Sequence, residues 1–167
     1  ANEWVEKTFL TPEDNFTNLF SKLSLFPVIP LVNKNYKFQP IMVTDVADAI
    51  MKAIEKKDNY GKIYEIGGPK IISFDNMVKS ILSSINKKRF VIEMPMSIAK
   101  IQSSIMDLLP FPPVLTRDQC EILSESDNIV SNNYLTLKDL NIDPKNVEDE
   151  MKKWLWRYRD GGQFAKV

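Results

Sequence analysis

The chain has no histidine and a single cysteine, Cys120, and these two facts decide most of what its side chains can do. A Ser–His–Asp or Cys–His arrangement needs an imidazole to take the nucleophile's proton, so both are excluded. A zinc centre would have to be built almost wholly from carboxylates, an uncommon donor set for that ion, and no metal ligand is assigned. Cys120 has no partner for an internal disulfide and suits a reducing or matrix-like compartment. Nothing beside it in sequence favours the thiolate, so it reads as a packed side chain. A phosphate site needs a run of free backbone amides, usually in a glycine-rich loop. The chain has five glycines. Gly67-Gly68 invites that reading, but Pro69 follows, and the three read as a turn.

Composition narrows the classes further. The 22 basic and 22 acidic residues cancel, leaving no excess charge to follow a phosphate backbone, so nucleic acid is not an expected partner. Hydrophobic content of 44% and charged content of 26% are those of an ordinary globular protein, and 167 residues suit one domain with a real core. No stretch approaches the roughly 20 apolar residues that span a bilayer. The opening ANEWVEKTFL is acidic and amphipathic, unlike a signal peptide, and starts in what reads as mid-helix.

The elements that must position any site follow from periodicity. Trp4, Val5 and Phe9 suit the end of an amphipathic helix over residues 2–10. Thr11-Pro12-Glu13-Asp14 reads as a helix start, with Thr11 capping and Pro12 at the first helical position. Phe16, Leu19, Phe20 and Leu23 then make an inward stripe. Pro27 and Pro30 impose an extended segment. Lys37–Val43 reads as a strand leading into a helix from Thr44 or Asp45, with Val46, Ala49, Ile50, Ala53 and Ile54 inward. Lys62–Ile66 reads as a short strand. Ser73 caps a helix whose inward face is Met77, Val78, Ile81, Leu82 and Ile85, and Phe90–Glu93 is a further strand. Met96–Leu109 is a strongly apolar helix, and Thr116-x-x-Gln119 is a capping box that opens another. Thr136–Leu140 is a helical turn. Asn146 caps the last helix, with Met151, Leu155 and Tyr158 inward, and Gly161-Gly162 ends it.

Four phrases occur in an order that carries a resemblance: PEDNF at 12–16, FQPIMVTDVADAI at 38–50, KIYEIGGP at 62–69 and TRDQ at 116–119, with RYRDGGQF closing the chain. Together they resemble the C-terminal half of the extended and atypical short-chain dehydrogenase/reductases, the NAD-dependent epimerase/dehydratase type. Within that superfamily they are most similar to the NADPH-binding accessory subunits of respiratory complex I and their bacterial relatives. The resemblance covers about 150 residues and implies an α/β fold: the C-terminal portion of a Rossmann-type protein, helix-rich with few short strands. Residues 1–10 are then the end of a Rossmann-domain helix. Residues 11–167 are a substrate or interaction region, with one strand at about 62–67 returning to the Rossmann sheet. Relatives carry a further strand between the parts matching Leu10 and Thr11, so either residues are missing there, the favoured expectation, or a deletion has removed a strand of the sheet; a preceding segment is expected before Ala1.

The resemblance implies NADP(H) or NAD(H), yet the Gly-x-x-Gly-x-x-Gly loop that holds it in the family is absent. Catalytic members carry Tyr-x-x-x-Lys; the one formal match here, Tyr134 with Lys138, lies far from the family's position, and no catalytic residue is assigned. Asn15, Asn18, Gln39 and Pro40 occupy positions that line the substrate pocket in relatives. Asp45 is expected to cap its helix or pair with a nearby arginine, and Arg117 and Asp118 to be surface charge. Trp154, Trp156 and Tyr158, interleaved with Lys152, Lys153, Arg157 and Arg159, suit a surface for complex I subunits or a membrane, and Met96–Val114 is a second apolar candidate. The expected function is that of a complex I accessory subunit whose nucleotide is structural and not turned over. The alternative is an NAD(P)-dependent reductase or epimerase acting on a small or isoprenoid-like substrate. The expected place is the bacterial cytoplasm or mitochondrial matrix, peripheral to the inner membrane.

Overall fold

The computed structural model describes residues 9–98, 127–131 and 133–165. The helices lying wholly within the described residues are α1 (Asn15–Leu23), α2 (Val43–Glu55), α3 (Phe74–Ser84) and α4 (Val147–Leu155). Three short strand pairs accompany them. In the first, β1 (Phe9–Leu10) lies parallel to β4 (Ile41–Met42). In the second, β2 (Val28–Leu31) lies parallel to β6 (Phe90–Glu93). In the third, β3 (Lys37–Phe38) runs antiparallel to β5 (Ile72–Ser73). Single 3-10 turns occupy Lys57–Asn59, Leu137–Leu140 and Trp156–Tyr158. The fold is thus mixed α/β, helix-rich with few short strands.

The core forms where the apolar stripes meet. Met77, Val78, Ile81, Leu82 and Ile85 of α3 and its exit pack with Phe20 of α1, Ile29 and Leu31 of β2, and Met151, Trp154, Leu155 and Tyr158 at the C-terminal end. Burying one such aliphatic side chain contributes about 1.5–3 kcal/mol. Phe16, Phe20 and Phe74 meet ring to ring here, Phe20 edge-on to Phe74 at 5.6 Å between centroids. A smaller cluster joins Ile41, Val46 and Ala49 to Leu137 and Leu140.

Several boundaries differ from those the sequence suggests. Phe9–Leu10 are extended, not helical, because their backbone pairs with Ile41–Met42; residues 1–8 lie outside the described ones. The first helix is capped by Asp14 and not Thr11. The Asp14 amide closes a turn onto the Thr11 carbonyl, which leaves Pro12 in that turn, and the Asp14 carboxylate accepts from the Thr17 amide and hydroxyl at 2.6 Å each. Lys37–Val43 is split into β3 and β4 at Gln39-Pro40, where proline has no N–H to continue a ladder. In place of a strand at 62–67 there is one bridge, Tyr64 to Leu135, because the chain turns into a 3-10 helix at Leu137. On α2, Ile50 and Ile54 are 54% and 61% exposed; Val46 and Ala49 alone of the expected face are buried, over Leu137 and Leu140. Residues 96–98 are helical, as expected for the start of the Met96–Leu109 helix; the rest of that helix, and the capping box and helix from Thr116 with Arg117, Asp118, Gln119 and Cys120, lie outside the described residues.

Candidate functional site

The phrases that carry the resemblance bond to one another. Asn18, two residues beyond PEDNF, donates through Nδ2 to the Pro12 and Asp14 carbonyls, and its Oδ1 accepts from the Tyr158 hydroxyl at 2.8 Å. Arg157 Nη2 donates to the Pro12 carbonyl at 3.0 Å, and Trp154 Nε1 to Thr17 Oγ1 at 3.4 Å. PEDNF and the closing WLWRYRDGGQF therefore form one joint between α1 and α4. Burial raises the Asp14 pKa above the usual carboxylate value, against the opposing hydrogen bonds from Thr17. It also raises that of Tyr158, with the charge on Asp14 adding to the effect. A proton-shuttling tyrosine needs the opposite shift. Tyr158 is a donor held in place.

FQP and IGGP form the second joint. Gln39 Nε2 donates to the Gly68 carbonyl at 2.6 Å, and its Oε1 accepts from the Val130 amide at 3.3 Å. The Gly68 amide donates to the Gln39 carbonyl, and the Gln39 amide to that of Asn128. Glu65 fixes the same crossing segment by accepting from the Ser131 amide and hydroxyl. Gly67-Gly68 is therefore a close approach of backbones in place of a turn. A Cβ on Gly67 would meet Gln39 Cδ and Val130 Cγ1 at 2.9 Å each, and one on Gly68 would overlap the Pro40 carbonyl oxygen. At Gly67-Gly68 the space a phosphate would need is filled by the protein itself, so this glycine pair does not fit the pyrophosphate of NADP(H) or NAD(H).

Asp45, 2% exposed, accepts from the Lys145 amide at 2.8 Å and pairs with Lys145 Nζ at 3.3 Å. The expected arginine is a lysine one hundred residues away, a contact that no local pattern announces. Pro40 is buried and borders a crevice of about 10 Å³, room for no more than one water. Asn15 is exposed at the start of α1. The structure gathers Asn15 and Asn18 on one helix, and neither they nor Gln39 line this crevice or the groove beside α3. Tyr134 is 51% exposed, and the described residues show no group of three His, Cys, Asp or Glu that converges as on a metal.

An open groove of about 460 Å³ lies beside α3, lined by Lys70, Asn76, Lys79, Ser80, Ser83 and Glu148 among others. Sequence reasoning missed Glu148; its position in the first turn of α4 beside Lys70 depends on the tertiary fold. Glu148 accepts from the Ser80 hydroxyl at 2.7 Å and from Lys70 Nζ at 3.1 Å. The Ser80 bond first, and Lys70 after it, hold its pKa below 4.5. A lowered folded-state pKa means stability that is present above 4.5 and lost as pH falls through the folded value. Ser80→Ala should flatten that acid limb, so that mutant and wild type converge in urea midpoint as pH drops below 4.5. Parallel curves across that range would mean that Ser80 has no such role.

No protein-family model matches the chain. Relatives do. The Arabidopsis thaliana mitochondrial protein NADH dehydrogenase (ubiquinone) 1 alpha subcomplex subunit 9 is 30% identical over 166 residues, covering 93% of this chain and 41% of that protein. Its counterparts are 28% identical in Dictyostelium discoideum and 29% in Mus musculus, over 93% and 88% of this chain. The chain is a homologue of these complex I subunits. It spans about two fifths of the length of the curated relatives it matches. Among solved structures, the Bacillus anthracis dTDP-4-dehydrorhamnose reductase in complex with NADP superposes with a TM-score of 0.56 at 16% identity, covering 88% of this chain and 44% of that one. The protein gox2253 gives 0.58 at 17%, over 93% and 48%. At such identities the likeness shows the fold, a Rossmann-like reductase architecture, and nothing of chemistry. Among the described residues no helix is long and apolar enough to cross a membrane.

Proposed function

We propose that this chain is part of a nucleotide-binding accessory subunit of respiratory complex I, peripheral to the mitochondrial inner membrane, whose nucleotide is structural and not turned over. The observation that carries the reading is the 30% identity to a complex I subunit along 93% of the chain. The use of Asn18, Gln39 and Asp45 as internal joints supports it, since each holds the region together instead of facing a substrate. Because Gly67-Gly68 leaves no room for a phosphate, the nucleotide, NADP(H) in this reading, is held elsewhere. A ligand bound only by the folded state stabilises it by mass action, about 2.7 kcal/mol at a hundred times its Kd. That is sufficient use for a dinucleotide that never transfers hydride. The two joints then serve as a rigid bracket between the nucleotide-holding part and the rest of the complex.

The test is association. The tagged protein, expressed in its own cell and extracted from membranes in mild detergent, is separated by native electrophoresis. Co-migration with the band that oxidises NADH and reduces ubiquinone is the expected result. Migration alone, with that band intact and free of the tag, would overturn the reading. The reductase alternative draws on fold likeness alone and is taken no further.

A further inference from the structure

The most exposed large apolar side chain among the described residues is Phe90, 76% exposed at the start of β6, and Phe26, just before β2, is 61% exposed. The two are neighbours, because the Phe90 amide donates to the Pro27 carbonyl. In the parallel β2–β6 pair Val28 lies opposite Phe90, and Pro30 opposite Ile92. Strand alternation puts these four on one face. The other face carries Ile29 and Leu31, fully buried in the core. The outward face is apolar along its length, with Val28 39% and Ile92 50% exposed.

Its surroundings are one-sided in charge. Residues 21–35 and 84–94, which hold this face and its flanks, carry Lys22, Lys34, Lys87, Lys88 and Arg89 against one acid, Glu93, in a chain of zero net charge. Arg89 is turned to neutral carbonyls, those of Ser24 and Lys88, so its charge stays unbalanced. None of the ion pairs among the described residues uses Lys22, Lys87 or Lys88. Protruding aromatic side chains set among lysines, on a ribbon that borders neither the groove nor the crevice, match a fluid anionic surface. A protein partner would instead call for pockets, and for arginine forks aimed at carboxylates.

We propose that the outer face of the β2–β6 ribbon docks on an anionic bilayer surface. Phe26 and Phe90 enter the boundary between headgroups and acyl chains, and Lys22, Lys87 and Lys88 meet the lipid phosphates. This surface lies apart from the α1–α4 joint and does not depend on association with the respiratory complex. The test is co-sedimentation of the intact protein with phosphatidylcholine vesicles, with and without phosphatidylglycerol. Wild type should sediment with the anionic vesicles, be released by high salt, and remain in solution with the neutral ones. Lys87→Gln/Lys88→Gln should weaken binding about 30-fold, at about 1 kcal/mol for each lysine. Phe26→Ser/Phe90→Ser should weaken it at least about 10-fold. Both variants should keep the wild-type circular dichroism melt, since the altered side chains lie at the surface. Wild type that stays in solution with both vesicle types would overturn the proposal and leave the face to a protein. Binding that neither pair of substitutions weakens would overturn it as well.

Discussion

Gly68→Ala is expected to cost at least about 3 kcal/mol of folding stability, from overpacking against backbone that cannot yield. The added Cβ would overlap the carbonyl oxygen of Pro40 and lie 2.9 Å from its carbon. Side-chain clashes relax by rotation; this one would have to move the backbone. Pro40 is buried, its ring fixes φ, and the strand that follows it pairs with β1. Moving Gly68 away instead would break the bonds that join it to Gln39, the amide to the Gln39 carbonyl and the carbonyl from Gln39 Nε2. Val130 would then lose the acceptor that Gln39 Oε1 provides. Gly61→Ala is the internal control. Its φ is +76° with open space around it, so only left-handed backbone strain applies, about 1–2 kcal/mol. Urea denaturation of both variants measures the difference. A Gly68→Ala cost no larger than that of Gly61→Ala would mean that the two joined segments slide freely past each other.

The glycine pair shows how far the sequence could be read. Gly-Gly-Pro announces a departure from regular structure, and the departure is there. Its kind was hidden, because turn and close approach differ only in what lies across the gap, and that is Pro40, far back along the chain. The same holds for Asp45. Its phase on α2 marks it as unable to face the core unpaired, but the partner, Lys145, is set by the fold. Local chemistry was readable where the cap is the expected residue: Ser73 caps α3 by accepting from the Asn76 amide, and Asn146 caps α4 by accepting from that of Glu148, whereas α1 is capped by Asp14 and not Thr11. Periodicity likewise located the inward face of α3, except for Phe74 at its first turn. It failed on Ile50 and Ile54, because the helix is anchored through Asp45 and Val46 and apolar residues run round most of its surface. The α1–α4 joint ties PEDNF to RYRDGGQF, with Arg157 donating to the Pro12 carbonyl and Tyr158 to Asn18, two residues beyond PEDNF.

Trp154→Ala should be at least as damaging as Gly68→Ala, at about 3–5 kcal/mol, the range for removing a buried aromatic side chain. Composition alone groups Trp154, Trp156 and Tyr158 with the surrounding lysines and arginines as a contact surface for a complex or a membrane. Helical phase separates them. Met151, Trp154, Leu155 and Tyr158 follow i, i+3, i+4, i+7 and face inward, and all four are buried. Trp156, two residues from Trp154, points the other way and is 53% exposed. Trp154 also gives its indole N–H to Thr17, so its loss empties the contact between α1 and α4 and removes a bond across it. Trp154→Phe, which keeps most of the ring, should cost much less than the alanine. Trp156→Ala should stay within about 0.5 kcal/mol of wild type, as exposed positions do. Thermal or urea unfolding of the three variants decides between surface and core. If Trp154→Ala melted like wild type and lost only an association, the joint would be a docking surface after all. The expected order, with the alanine at 154 far below the other two, makes it the element that holds the C-terminal helix to the first.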